Sequence, residues 1–327
     1  RFDMAFWNGG RAGAHALVAL GCLVAAAGAP RFAAAHGFAG KRFFPSTPTI
    51  DDPFVADELS APTVTQRKLG ASGDAPETLE TDTTLELSKR ITRDLGFGFA
   101  ATQIRLRPDG GEVGSGLDNV AASLKYQFYR SDAHEAVASA GVDWDIGGTG
   151  SKRVGAESFS TVTPTLFFGR GLGDLPDSAR FLRPIAITGL AGVAIPSRAS
   201  STSPAEDGSL EVERHPDVLT AGFAFEYSIP YLQSAVKDVG LRDPFSRMIP
   251  LVELSLQKPL DRGGGSTLGT VNPGVIWAGR YYQLALEAVI PANGATGGKT
   301  GVLFQVHFFL DDLFPRSLGR PLWGDER

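Results

Sequence analysis

Glu80, Asp82, Glu86, Asp143, Asp145, Glu226, Glu253 and Glu287, with Lys125, Gln305 and His307 as complements, carry most of the polar chemistry this sequence can offer. Each falls on the polar side of a segment in which apolar and polar residues alternate, so together they are candidates for the lining of one closed sheet. In a narrow lumen such charges must be paired or hydrated, because an unpaired buried carboxylate is costly. Two readings follow. The carboxylates line a path for cations or polar solutes, or they form a side-chain network that fills and stiffens a sealed interior.

Other chemistries have little to work with. There is no Gly-x-Ser-x-Gly, and His134-Glu135 is followed by Ala-Val-Ala instead of the second histidine of a zinc peptidase. An outer-membrane hydrolase could still hold Ser and His on adjacent strands, but the sequence singles out no pair. Gly294-Ala-Thr-Gly-Gly-Lys-Thr300 misses the phosphate-loop spacing by one residue and joins two strands, so it reads as a glycine-rich hairpin loop. The single Cys excludes a disulfide framework and a cysteine-ligated metal. His36 could chelate copper as an amino-terminal residue, but His134, His215 and His307 fall on different segments without ligand spacing. With a net charge of −5 there is no basic field for nucleic acid. No enzyme activity, cofactor, metal or nucleic-acid partner is expected.

The elements that would position these residues are strands. Residues 1–35 read as a secretory signal peptide, with Met4 as a plausible start, an apolar run from Ala16 to Ala29, and Ala33-Ala34-Ala35 before the cleavage point. A lipoprotein reading at Cys22 is disfavoured because the apolar run continues beyond it. Residues 36–56 form an irregular arm rich in Pro and Phe, which as a plug, a plain tether or a dock for a periplasmic partner would have different uses. From residue 57 to 314, segments of about ten residues alternate in polarity between turns rich in Gly, Pro, Asp and Ser. They lie near 57–67, 78–90, 95–107, 117–130, 135–147, 158–170, 181–196, 216–230, 246–258, 269–278, 281–291 and 300–311. Residues 315–327 remain as a C-terminal periplasmic tail.

This pattern predicts an all-β fold, a transmembrane antiparallel up-and-down β-barrel of about twelve strands with outer-membrane lipid around it. The strand length matches a tilted crossing, and the strand count is even. With the N-terminus in the periplasm, Tyr126, Phe128, Tyr129, Phe167, Phe168, Tyr227, Tyr231, Trp277, Phe308 and Phe309 end at one rim and Phe97, Phe181, Tyr281 and Tyr282 begin there, an interfacial girdle. Two local conflicts stand. Phe97 and Phe99 share a register with Gln103, Arg105 and Arg107, which predicts a bulge near Ala100 or, failing that, two Phe facing the lumen. Pro164, Pro184, Pro250 and Pro273 fall inside predicted strands, where each removes a ladder donor.

The runs Leu85-Glu-Leu-Ser-Lys-Arg-Ile-Thr-Arg-Asp-Leu-Gly96, Gly116-Leu-Asp-Asn-Val-Ala-Ala-Ser-Leu-Lys-Tyr-Gln127 and Phe168-Gly-Arg-Gly-Leu-Gly-Asp-Leu-Pro176 resemble the bacterial outer-membrane proteins grouped as the phenol meta-cleavage-pathway, or MetA-type, transporter family. The resemblance covers most of residues 57–314 and rests on turn and strand patterns, which are specific for barrel type and weak for cargo. It implies a channel for small, aromatic or apolar, solutes, and it carries over no catalytic residue. The expectation from sequence is therefore passive uptake of a small molecule across the outer membrane. A sealed structural or partner-binding barrel is the first alternative and a hydrolase the second.

Overall fold

The computed structural model describes residues 37–71, 76–204, 210–261 and 265–324; the predicted signal peptide and His36 lie outside them. Twelve strands form one closed antiparallel ring: β1 (Glu58–Leu69), β2 (Thr78–Arg90), β3 (Leu95–Pro108), β4 (Val120–Ser131), β5 (Ala136–Ile146), β6 (Thr161–Gly171), β7 (Ile185–Pro196), β8 (Val218–Tyr227), β9 (Met248–Pro259), β10 (Leu268–Ala278), β11 (Tyr282–Pro291) and β12 (Gly301–Phe309). Each strand pairs with its sequence neighbour, and β12 closes on β1 through Val302↔Gln66 to Phe309↔Glu58. Closure leaves no open sheet edge, as a barrel in lipid requires.

The period of two decides which side chains face out. On β12, Val302 and Phe304 are exposed, whereas Leu303, Gln305, His307 and Phe309 are buried. On β8 the outward residues are Phe223 and Phe225, and Glu226 on the other face is 3% exposed. An apolar outer face around a polar inner one inverts the pattern of a soluble sandwich, and it is the arrangement of a transmembrane barrel.

One end of the ring carries short connections, such as Ile91 to Asp94 and Gly279 to Tyr281, and the chain on either side of the barrel returns there. The other end carries long loops, among them the ribbon Ser200–Pro204 with Leu210–Arg214 and a short strand Gly114–Leu117 added to β3. These ends are called the turn rim and the loop rim. A helical turn Ile229–Tyr231 continues into a wider turn over Leu232–Val236 in the longest turn-rim connection. Beyond β12 a turn Leu310–Leu313 leads the tail back across the turn rim, where the Leu322 N–H donates to Arg90 O at 3.1 Å.

Several expectations are corrected here. β3 pairs with β2 without a register shift from Thr78↔Pro108 to Arg90↔Gly96, so there is no bulge near Ala100, and Phe97 and Phe99 do not face the lumen. The inward positions are Gly96 and Gly98, where a side chain would collide with Val55 and Ser123. Phe97, Phe99, Gln103, Arg105 and Arg107 all point out. The bulges lie elsewhere, at Ser60/Thr63 on β1, Gln305/His307 on β12 and Gln127/Tyr129 on β4. Pro184 sits before β7, Pro164 marks a gap in the β6–β7 ladder, and the β9–β10 ladder runs through Pro250 and Pro273 in continuous register. The aromatic girdle loses three members: Phe167, Tyr231 and Phe309 are buried inside, while Trp277, Tyr282 and Phe308 form an outward row with centroids 5.5 and 6.4 Å apart.

Candidate functional site: the lumen and its inserted arm

Residues 37 to 57 run inside the ring. The chain enters at the turn rim as a tight ladder pairing Phe38–Ala39 with Arg42–Phe43. Gly40 makes this turn with a φ of 61°, and its backbone N–H donates to Asp132 Oδ1 at 3.0 Å. A Cβ at Gly40 would lie 2.3 Å from Asp132 O, so only glycine fits this approach.

Arg42 is fully buried and anchors the turn. Its Nε donates to Glu135 Oε2 at 3.2 Å, its Nη1 to Pro184 O at 2.9 Å and its Nη2 to Arg183 O, with the guanidinium 3.8 Å from the Tyr231 ring centroid. Glu135 also accepts from the Tyr231 hydroxyl at 2.8 Å and the Gly173 N–H at 3.1 Å. Glu135 itself occupies the left-handed region at φ 46°, a conformation costing about 1–2 kcal/mol that its three hydrogen bonds offset. Burial, and then the bond to Glu135, pushes the Tyr231 hydroxyl up to about 12.

Apolar packing completes the anchor. Phe43 meets Phe309 edge-on at 6.0 Å within a cluster of Ile249, Leu251, Ile276 and Ala285. Phe44 meets Phe54 at 5.4 Å over Val137 and Ala186. The inner wall is thus greasy near the turn rim, where it receives the arm's Phe residues, and polar above.

From this anchor the arm climbs to mid-lumen and returns. The Thr49 and Ile50 N–H groups donate to Glu253 Oε2 and Oε1 at 3.0 and 2.7 Å. The Thr49 hydroxyl donates to Glu287 Oε2 at 3.3 Å and accepts from Asn272 Nδ2 at 2.8 Å. Gln283 Nε2 donates to Ser46 O. Lys125 Nζ pairs with Asp51 at 2.6 Å, donates to Asp52 O at 2.8 Å and lies 4.6 Å from the Phe167 ring centroid. The descent ends at Asp57, fully buried between Lys89 and Arg90 at 2.7 and 2.8 Å, immediately before β1.

Of the residues singled out from the sequence, Lys125, Glu253 and Glu287 hold the arm directly. Glu80 pairs with Arg67 at 2.6 Å, with Asp82 beside it at 3.9 Å from the same guanidinium. Gln305 donates to Thr63 Oγ1 at 3.1 Å. Glu86 and Asp143 face Asp51 and Lys125 across a small void, Glu226 is buried with Oε1 accepting no hydrogen bond from the described residues, and Asp145 stands apart toward the loop rim. His307 Nδ1 lies 2.9 Å from Ser60 Oγ, and its Nε2 lies 3.4 Å from Glu58 Oε2. The structure therefore brings together a Ser–His pair in the lumen that the sequence does not single out, and a second, Ser201 Oγ with His215 Nε2 at 2.8 Å, in the loop-rim ribbon.

Arg42, Glu135, Thr49, Asn272, Gln283 and Arg67 are not among the lumen-lining residues expected from the sequence. A signal for some of them existed. Ile249, Leu251 and Ile276 share the inward face with Glu253 and Asn272, and apolar side chains pointing into a lumen call for an apolar partner inside it.

Between the arm and the wall formed by β1, β2 and β9 to β12 remains a cavity of about 380 Å³. Glu58, Glu86, Arg67, Asn272, Gln305 and His307 are among its lining residues. Its lining carries the carboxylates of Asp51, Glu58 and Glu86 against Arg67 and His307 amid apolar surface, and it is large enough for a small organic solute.

No protein-family model matches this chain, and no curated protein matches it. Among solved structures it is similar to the COG4313 outer membrane channel from Pseudomonas putida F1, with a TM-score of 0.57 at 11% identity over 82% of this chain and 99% of that one. The likeness is one of fold, a closed twelve-stranded antiparallel barrel of the outer-membrane type. Two further likenesses are the KdgM porin (TM-score 0.44, 11% identity, 76% of this chain and 98% of that one) and the translocator domain of the autotransporter NalP from Neisseria meningitidis (TM-score 0.44, 9% identity, 78% and 88%).

Proposed function

We propose that the protein is an outer-membrane channel for passive uptake of small molecules, with its turn rim in the periplasm, and that the conformation described here is its closed form. The carrying observation is the way residues 46–52 occupy mid-lumen. They are held chiefly by hydrogen bonds and ion pairs to Glu253, Glu287, Asn272, Gln283 and Lys125, all of which can be exchanged for solvent or solute. Displacing that segment would join the 380 Å³ cavity to the rest of the lumen. The carboxylate, hydroxyl and amide groups around it favour solutes that bring hydrogen-bond donors, including a phenol-sized aromatic with its hydroxyl.

Thr49 and Asn272 touch, so a Thr49→Cys/Asn272→Cys pair on a Cys22→Ser background tests the reading directly. In planar bilayers the oxidised form should be silent, and reduction should restore conductance to the level of the unpaired variant. A protein that is silent in both states and fails to swell liposomes is a sealed structural barrel.

Ser60, His307 and Glu58, a Ser–His pair with a carboxylate at the other ring nitrogen, give a hydrolase reading a specific observation. The ring is reversed relative to hydrolase triads, with Nδ1 toward the serine and Nε2 toward the carboxylate. The channel reading expects no ester turnover that Ser60→Ala abolishes; such turnover would promote the hydrolase instead.

A further inference from the structure

The outward face of β1 to β3 changes character along its length. Toward the turn rim it presents Leu85, Leu87 and Phe99, at 52, 39 and 51% exposure. Toward the loop rim it presents Gln66, Thr81, Gln103, Arg105 and Arg107. The ladder aligns these in rows: Gln66 beside Thr81 beside Arg105, then Lys68 beside Leu79 beside Arg107. The two arginines follow each other on one face of one strand, with Cα atoms roughly 7 Å apart. On β5 to β12 the same level is mostly apolar, with Trp144, Val162, Ile195, Leu256, Ile290 and Val302.

Lys68 is already engaged, since its ammonium pairs with Glu77 at 2.7 Å, and Glu77 also takes Lys299. Arg105 and Arg107 are exposed, and neither has an ion pair among the described residues. Around them the added strand Gly114–Leu117 forms a shelf, with Ser115 opposite Arg105 and accepting from Gln103 Nε2 at 2.8 Å. Gln66 Nε2 donates to Thr81 Oγ1 at 3.3 Å on the other side.

A guanidinium projecting from a barrel wall is costly against hydrocarbon and tolerated near the interface, where the available anions are headgroup phosphates. Its planar fork binds phosphate oxygens in pairs. We propose that Arg105 and Arg107, on the Ser115–Thr81 shelf, bind the phosphate of a phosphorylated glycolipid of the outer leaflet, whose acyl chains lie on Phe99, Leu85 and Leu87 below. The site requires the loop rim to face that leaflet, but not that the lumen conducts.

Native mass spectrometry of the full barrel in an uncharged detergent, with a bis-phosphorylated, hexa-acylated diglucosamine lipid added, tests this. The wild type should retain the lipid, and Arg105→Gln/Arg107→Gln should lower its occupancy about ten-fold or more, as losing charge-assisted hydrogen bonds does. Removing the lipid phosphates should do the same. Arg105→Lys/Arg107→Lys, which keeps the charge and loses the fork, should fall between. Lys258→Gln, an outward cation on β9, should change nothing, and all variants should keep the heat-modifiable mobility of a folded barrel. Equal loss with Lys258→Gln, or retention in the double glutamine variant, overturns the site. Complete displacement by an equal concentration of inorganic phosphate makes it an anion site and overturns the lipid assignment. A wild type that keeps its lipid yet never conducts would overturn the channel and leave this site standing.

Discussion

The arm is held in two places by two different kinds of chemistry. At the turn rim, Arg42, Glu135 and Tyr231 form a buried set in which the guanidinium has three acceptors and the carboxylate three donors, flanked by Phe43 and Phe44 in apolar clusters. In mid-lumen, Thr49 and Ile50 meet a wall whose polar groups outnumber what the arm can satisfy. Asn272 Oδ1 and Gln283 Oε1 are buried there and accept no hydrogen bond from the described residues. A satisfied, partly apolar contact is expensive to open, because every group lost is left buried and unpaired. A grip with spare acceptors is easier to trade for a solute or solvent that brings donors. The comparison assigns anchoring to the rim and exchange to the middle.

Breaking the anchor should have the largest effect. Arg42→Met leaves Glu135 buried without its cation, a loss of about 3–5 kcal/mol for a buried pair. Hydrogen exchange in detergent should then show residues 38–45 losing protection while β12 keeps its own. If both segments hold their protection, the rim is not what fixes the arm.

A smaller effect is expected in mid-lumen. Glu253→Gln keeps one carbonyl acceptor but turns an amide N–H₂ toward one of the two backbone donors at Thr49 and Ile50, a loss of about 1–3 kcal/mol. From the arm Glu287 receives one hydroxyl bond at 3.3 Å, against the two backbone N–H bonds that Glu253 receives, so Glu287→Gln should cost less. Open probability in bilayers should therefore rise more for Glu253→Gln than for Glu287→Gln. The reverse order would mean that the hydroxyl contact, and not the backbone pair, sets the closed state.

Most of the barrel was legible because its governing signal is local. Alternation at a period of two fixes which residues face lipid, and turn residues bound each strand, so the predicted segment 78–90 and the observed β2 coincide. β3 was misread for a physical reason. An outward face is uniformly apolar only at the depth of the hydrocarbon, and near a membrane interface Gln103, Arg105 and Arg107 can face out at little cost. The lumen was less legible. Whether Glu253 meets solvent, another strand or the arm depends on contacts with residues about two hundred positions away in the chain, and no periodicity reports those. Glu135 shows the limit most sharply, as its role depends on a left-handed backbone and on partners from three other segments.

The finest test of the comparison concerns the outermost contact of the anchor. Asp132 accepts the Gly40 N–H and pairs with Arg130 at 2.9 Å, and these bonds, the Gly40 bond first, hold its carboxyl below the usual aspartate range. A depressed folded-state value means the contact is fully present above the unfolded value of about 3.9 and is lost only as pH falls through the lower folded one. The Gly40 amide proton, followed by NMR in micelles, should stay downfield from neutral pH to about 4 and move upfield with a midpoint below 3.9. In Asp132→Asn that titration should disappear while the Arg42 contacts persist. Because the Asp132 side chain is 64% exposed, the arm should remain docked throughout. If it instead leaves the lumen at this midpoint, the rim would be the acid-sensitive element, and the division between anchor and exchangeable grip would have to be reversed.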